Sequence, residues 1–260
     1  MTAGRPIDGT GLIPKKSRGQ NFLKDEGVAD RQISAAEIKE NDRILEIGPG
    51  FGILTERLVE TGGRVFCIEI DPILADYTEK KFGDSVTLIR GDALKVEWPE
   101  FDVFVSNLPY SVSTPVIFKL LAHNFERAVV MVQKEFADRM VAEPGSKDYS
   151  RLTVNLFTKA ECRVIENVPA SRFDPRPKVD SSVVVIEPRP APFELNDAEL
   201  FSKIVDVCFA QRRKKIGTAL RNSGIIKNTE NLPYADSRIE MLSPAEIAEL
   251  SDAVSRSVKV

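Results

Sequence analysis

The sequence predicts an α/β protein, with a doubly wound, mostly parallel sheet followed by a small C-terminal helical domain. Three observations lead there. First, Arg43-Ile44-Leu45-Glu46-Ile47 reads as a strand buried on both faces. It runs into the turn Gly48-Pro49-Gly50-Phe51-Gly52, and residues 53–59 follow with apolar side chains at helical spacing. Second, strand-like runs at 43–47, 64–70, 86–90, 101–106, 127–132, 162–168 and 182–187 alternate with helical patterns from Asp42 to Ile186. Third, Pro188, Pro190 and Pro192 mark a linker, and the pattern beyond it is helical. The chain divides on this basis into an arm over residues 1–18, a sheet domain over 19–190 and a helical domain over 191–260.

The individual elements follow from the same signals. A helix is expected from Glu26 to about Lys39. The last two strand runs leave little room for a helix between them, which predicts an antiparallel hairpin at one edge of the sheet. Another helix should have Ser113 or Thr114 as N-cap, with Pro115 in its first turn. In the helical domain Leu200, Ile204, Val207 and Cys208 fall on one face, and a final helix should start at Ser243-Pro244-Ala245-Glu246.

The glycine turn narrows the ligand. Glycine takes positive φ and leaves no Cβ between backbone and ligand. A strand–glycine–helix corner stands where open α/β sheets bind nucleotides. A plain tight turn does not need three glycines at alternate positions. The dinucleotide fingerprint has its third glycine one place later than Gly52, and no Lys-Ser/Thr pair follows, which excludes a P-loop. About twenty residues on, a second strand ends at Glu69-Ile70-Asp71, where an acid can accept ribose hydroxyls. E-x-G-x-G-x-G with a later acid resembles the S-adenosylmethionine site of Rossmann-like methyltransferases. An NAD site remains the competitor at this point.

Composition sets further bounds. At 260 residues and 42% hydrophobic content, the chain can build one α/β core and a small appendage. No run has the length of a membrane span and no signal peptide opens the chain, so a soluble cytoplasmic protein is expected. Cys67, Cys162 and Cys208 form no C-x-x-C, and His123 is the single histidine. These counts argue against a disulfide framework, a zinc site and a His-based triad. The net charge of −3 is not the footprint of a simple nucleic-acid binder. The basic residues are clustered, however: Lys15, Lys16, Arg18 and Lys24 near the start, and Arg212, Arg213, Lys214, Lys215 and Arg221 near the end. Such runs are about as often plain solvated faces.

Two segments carry chemistry. Gly91-Asp92-Ala93-Leu94 ends the third strand with an acid that can accept an adenine amino group, or that serves as an ordinary turn residue. The fourth strand runs into Asn107-Leu108-Pro109-Tyr110. As backbone this is a turn before a helix. As chemistry it meets a particular need. The N6 amino group of adenine is a weak nucleophile because its lone pair is delocalised into the ring. Acceptors at the Asn107 side-chain oxygen and the Leu108 carbonyl would engage its two N–H bonds and free that lone pair. Pro109 lacks an N–H and stiffens the loop. Tyr110 can stack on the purine, a contact worth about 1–3 kcal/mol. No strong base is required, since the nitrogen becomes acidic only once alkylated, and in-line positioning accounts for much of the rate.

With these residues in place the sequence resembles the small-subunit ribosomal RNA adenine N6,N6-dimethyltransferases, the KsgA/Dim group. The matching pieces are Gly19–Leu23, Glu46–Gly52, Glu69–Asp71, Gly91–Ala93, Asn107–Tyr110, Pro144–Tyr149, Phe173–Ser181 and Phe209–Lys215, all in order along the chain. The resemblance implies a Rossmann-like S-adenosylmethionine-dependent methyltransferase sheet with a small helical C-terminal domain. It implies that S-adenosylmethionine lies against Asn21, Leu23, Gly48, Gly50, Glu69, Ile70, Asp92, Ala93 and Asn107. Asn107 and Leu108 would orient the target amino group, with Tyr110 and Phe173 sandwiching the adenine. The implied substrate is small-subunit ribosomal RNA in the immature subunit, with two adjacent adenosines dimethylated by a monomer. Residues 224–260 carry no motif of the family.

Other readings stay in view. A large-subunit adenine methyltransferase of the antibiotic-resistance type shares the fold and the Asn107–Tyr110 pattern, but the Phe173–Ser181 stretch favours the small-subunit group. A binding protein that kept the fold without the chemistry would not need Gly48, Glu69 and Asn107. An NAD-dependent oxidoreductase is disfavoured by the displaced third glycine and the lack of a histidine to partner hydride transfer.

Overall fold

The structure, a computed structural model, describes residues 20–258. The arm expected over 1–18, with Lys15, Lys16 and Arg18, lies outside the described residues. In order, the elements begin with β1 (Phe22–Leu23), α1 (Glu26–Ala36), β2 (Arg43–Ile47), α2 (Ile53–Glu60), β3 (Arg64–Glu69) and α3 (Pro72–Phe82). They continue with β4 (Val86–Arg90), β5 (Val103–Asn107), α4 (Ser113–Leu120), β6 (Arg127–Gln133), α5 (Lys134–Met140) and α6 (Arg151–Lys159). The last are β7 (Ala160–Val168), β8 (Phe173–Asp174), β9 (Ser181–Pro188), α7 (Ala198–Ala210), α8 (Ile216–Asn222) and α9 (Pro244–Val258).

The main sheet has the order β4-β3-β2-β5-β6-β9-β7. β2 pairs in parallel with β3 and with β5, β3 with β4, and β5 with β6, while β9 runs antiparallel to β6. The chain therefore builds outward from β2 in one direction and returns to build outward from β5 in the other. The loops after β2 and β5 diverge at that switch, which opens a crevice at the carboxyl ends of the two strands. As expected, β7 and β9 are neighbours at one edge. Burial explains the apolar runs: Ile44, Leu45, Phe104, Val105, Val129 and Val130 are fully enclosed, and each such side chain contributes roughly 1.5–3 kcal/mol. At the other end of the central strands, Arg43 donates to the Asp102 carboxylate from its backbone N–H, Nε and Nη2 at 2.7–3.0 Å. The guanidinium holds that carboxyl down at about 2 and ties the starts of β2 and β5 together.

Several local expectations shift. α1 stops at Ala36 because Glu37 turns left-handed (φ 49°); its start is capped by Asp25, whose carboxylate accepts the Val28 N–H. Neither Ser113 nor Thr114 caps α4. Val112 is the N-cap, and the Ser113 hydroxyl donates back to the Pro109 carbonyl at 3.3 Å. In α7 the buried stripe is Phe201, Ile204, Val205 and Cys208, one position round from the stripe drawn on Leu200 and Val207. α9 starts where expected, and Ser243 and Glu246 form a capping box ahead of it, each side chain engaging the other residue's backbone N–H.

Two compact units emerge. One runs to Ala137 and resumes over Arg163–Pro188; the other comprises Asp138–Cys162 and the chain from Arg189 onward. The first unit ends at Pro188. Asp138–Cys162 adds to the helical side because Tyr149 and Val154 are buried with Phe201, Ile204, Ile216 and Leu250. The Tyr149 hydroxyl donates to the Leu242 carbonyl at 2.8 Å, so burying this phenol leaves no polar atom unpaired. No described helix is long and apolar enough to cross a membrane.

Candidate active site

A cavity of about 290 Å³ opens at the carboxyl ends of β2 and β5. Its floor is the glycine turn. Gly48, Gly50 and Gly52 all have positive φ, at 70°, 57° and 84°. Two of them cannot carry a side chain for a further reason. A Cβ at Gly50 would press on the Phe22 ring at 3.0 Å, and one at Gly52 would meet Phe82 at 2.5 Å. The turn is fixed by the Gly48 N–H, which donates to the Ile68 carbonyl at 2.9 Å, and by the Ser106 hydroxyl, which donates to the Ile47 carbonyl at 2.7 Å.

Acids line one side. Glu69, at the end of β3, is 5% exposed, and its carboxylate accepts the Asp71 N–H at 2.7 Å. Burial raises its pKa, while backbone donors from Asp71, Ile70 and Gly50 pull the other way. Beneath it Glu46 is enclosed, and burial pushes its carboxyl up to about 7 against the Thr55 hydroxyl, which donates at 2.7 Å. Beyond β4, Asp92 uses one carboxylate oxygen to accept the Leu94 N–H at 2.9 Å. Asp92 and Ala93 both face the cavity, as does Ile70, an apolar side chain left half exposed.

Asn107, Leu108, Pro109 and Tyr110 form the opposite wall. The Leu108 N–H is committed to the Met131 carbonyl at 3.1 Å. The Tyr110 hydroxyl shares a hydrogen bond with the Ser181 hydroxyl at 2.8 Å, and burial raises its pKa. Asn107 Oδ1 is buried with no hydrogen-bond partner. An unpaired buried acceptor of this kind costs about 1–3 kcal/mol, so it marks a place built for a donor.

The roof is a two-stranded ribbon. β1 pairs antiparallel with β8, Phe22 opposite Asp174 and Leu23 opposite Phe173. Asn21, Leu23 and Phe173 line the cavity, and Phe22 packs against Phe51 in a tilted pair with ring centroids 4.5 Å apart. The cofactor-site and catalytic residues expected from the sequence thus surround one cavity in one unit. The basic cluster does not belong to it. Arg212–Lys214 lie in a turn between α7 and α8 rather than on a helix, since α7 ends at Ala210 and α8 begins at Ile216. Arg213 and Lys214 are exposed, Lys215 pairs with Asp236 at 2.8 Å, and Arg212 binds Glu240 and the carbonyls of Ser146 and Lys147. Arg212 therefore serves as a bracket within its own unit. Sequence reasoning did not single out Ser181 or Met131, which hold Tyr110 and Leu108. Ser181 opens the last strand, but only pairing in space shows its use.

Residues 13–255 match the ribosomal RNA adenine dimethylase family. The chain belongs to that family. This dimethylase is 43% identical over 249 residues to a probable ribosomal RNA small subunit methyltransferase A of Thermococcus gammatolerans, covering 92% of this chain and 88% of the relative. Among solved structures it resembles a dimethyladenosine transferase from Plasmodium falciparum, with a TM-score of 0.80, 32% identity, and coverage of 91% of this chain and 98% of that one. It also resembles the 23S rRNA methyltransferase ErmE, with a TM-score of 0.69 and 26% identity over 90% of this chain and all of that one. The dimethylase accordingly has the Rossmann-like fold of S-adenosylmethionine-dependent methyltransferases, as its sequence pattern predicted.

Proposed function

We propose that this dimethylase acts on N6 of two adjacent adenosines of small-subunit ribosomal RNA, as a cytoplasmic monomer on the immature subunit. The observation that carries the reading is the unpartnered Asn107 Oδ1 on the cavity wall. The exocyclic amino group of adenine is a donor that satisfies it. The small-subunit assignment is favoured by the 43% identity to a relative named for that subunit, against 26% to the 23S enzyme.

S-adenosylmethionine, when bound, supplies a methyl group on a positively charged sulfur. Within the site, Gly48 and Gly50 let the backbone close on it. Glu69 would accept its ribose hydroxyls, Asp92 and Ala93 would hold its adenine edge, and Ile70, Asn21 and Leu23 would complete the lining around it. Asn107 Oδ1 and the Leu108 carbonyl accept the two N–H bonds of the target nitrogen, which directs its lone pair along the transfer axis. Pro109 keeps the corner rigid, and Tyr110 and Phe173 flank the base. No side chain is asked to remove a proton before transfer. Lys15, Lys16, Arg18, Arg213, Lys214 and Lys215 supply cations for RNA phosphates, and Arg212 braces the turn that carries Arg213 and Lys214.

The test is to incubate the protein with tritiated S-adenosylmethionine and immature small subunits, and separately with naked large-subunit RNA, then digest to nucleosides. Label is expected in N6,N6-dimethyladenosine from the small-subunit RNA. Label confined to large-subunit RNA would assign the chain to the 23S type instead.

A further inference from the structure

We propose that Lys119 is a positioning residue for the adenine end of the cofactor, acting through the loop Gly91–Val96. Lys119 stands in the last turn of α4 and does not line the cavity. Its ammonium donates to the Ala93 carbonyl at 2.9 Å and to the Val96 carbonyl at 2.7 Å, and it lies 4.9 Å from the centroid of the Trp98 ring. The Trp98 indole N–H donates to the same Ala93 carbonyl at 2.8 Å. Two donors, one from α4 and one from farther along the β4–β5 connection, converge on one oxygen, in the residue directly after Asp92.

The loop they hold is tight. The Asp92 carbonyl accepts the N–H groups of Lys95 and Val96 at 2.8 and 2.9 Å, and the Asp92 carboxylate accepts that of Leu94. Asp92 thus closes the turn from inside, while Lys119 and Trp98 fix it from outside. Trp98 is itself held between Phe104 and His123, stacked at 5.8 and 5.0 Å, and the His123 ring bonds back to the Lys119 carbonyl at 2.9 Å.

α4 gives this arrangement its consequence. It spans eight residues, about 12 Å at 1.5 Å per residue. At its start the Ser113 hydroxyl grips the Pro109 carbonyl, and Val112 and Val116 contribute to the cavity wall. At its end Lys119 grips the Asp92 loop. One rigid helix therefore spaces the Asn107–Tyr110 corner from the loop that takes the adenine edge. Charge-assisted hydrogen bonds are roughly twice as strong as neutral ones, which suits an ammonium to that task.

This inference rests on the reading that Asp92 and Ala93 hold the cofactor adenine. The test measures the Kd for S-adenosylhomocysteine, the kcat at saturating S-adenosylmethionine, and the emission of Trp98, the single tryptophan of the chain. Wild type is compared with Lys119→Met, the milder Lys119→Gln, Asp92→Asn and Lys119→Gln/Asp92→Asn. Both Lys119 variants should raise Kd by roughly five- to twentyfold, Gln less than Met, with kcat changed less than about twofold. In the Asp92→Asn background, Lys119→Gln should add less than about twofold, because both act through one loop. The change in Trp98 emission on ligand binding should shrink in both variants. If Lys119→Met does not fold, Lys119→Gln carries the test. An unchanged Kd in both Lys119 variants, with Asp92→Asn weakened, overturns the positioning role and leaves the site reading intact. An unchanged Kd in Asp92→Asn overturns the adenine assignment and this inference with it. A fall in kcat at constant Kd, or fully additive effects in the double variant, overturns the positioning role.

Discussion

Leu23 and Phe173 stand opposite each other across the β1–β8 ribbon, and both line the nucleotide cavity. One comes from the motif that opens the sheet domain and the other from the loop before its last strand. The proposed cofactor wall and the proposed base wall thus draw on the two strands of one ribbon. Phe173 is also 4% exposed and part of the core, so it must be probed without emptying its place. Phe173→Leu keeps most of the volume and removes the aromatic face. It should lower kcat/KM for RNA by about 1–3 kcal/mol, the worth of one stacked base, and leave the cofactor Kd unchanged. Steady-state kinetics beside calorimetry checks this, and equal losses in both would make Phe173 a purely structural residue.

Glu69 offers a carboxylate at the end of β3, with one oxygen already occupied by the Asp71 N–H. Glu69→Ala removes the acceptor proposed for the ribose. It should weaken S-adenosylmethionine binding by about 1–3 kcal/mol in a calorimetric titration. An unaltered dissociation constant would show that the acid serves only to shape the loop.

Glu46 predicts a pH dependence with a definite sign. Burial raises its folded-state pKa from 4.5 to about 7. Between those values the folded state keeps a proton that the unfolded state has released. Stability from this group is therefore present in full below 4.5 and is lost as pH rises toward 7. The gap of about 2.5 units corresponds to at most roughly 3 kcal/mol at 1.36 kcal/mol per unit. Urea unfolding at pH 5 and pH 8 should show a loss in wild type that Glu46→Gln largely lacks. The same loss in both proteins would mean that Glu46 is already ionised at pH 5.

Arg212 and its neighbours should separate. Arg212→Ala removes the bracket to Glu240, Ser146 and Lys147, and should cost about 1–3 kcal/mol in thermal unfolding. Arg213→Ala with Lys214→Ala should leave the melting temperature in place. It should reduce the slope of log K against log salt for RNA by about 1–2. A salt slope that stays unchanged would return this pair to a plain solvated surface.

Much of this was legible in the sequence because its signals are local. The strand–glycine–helix corner needs positive φ at Gly48, Gly50 and Gly52, and the chain advertises that need. The runs of β2, β5, β6 and β9 are apolar because both faces of the sheet are covered there. What stayed hidden depends on pairing at a distance. Nothing in Phe22-Leu23 announces a strand, since it becomes one only against Phe173-Asp174. Arg212 reads like its neighbours until Glu240 and the 146–147 carbonyls are placed around it. Lys119 reads as a surface lysine on a helix, and its two carbonyl partners lie in the loop between β4 and β5. The RNA-facing side was the least legible, because charge runs carry no periodicity that fixes their partners.

The central claim is that the unpaired Asn107 oxygen receives an N–H of the target adenine. The measurement that tests it most directly is the single-turnover rate of methyl transfer to small-subunit RNA by Asn107→Ala at saturating S-adenosylmethionine, with the cofactor Kd determined alongside. The account predicts a fall of roughly 100-fold or more, the scale seen when one preorganised hydrogen-bonding group is deleted from an active site, with Kd weakened far less. A transfer rate close to wild type would contradict it.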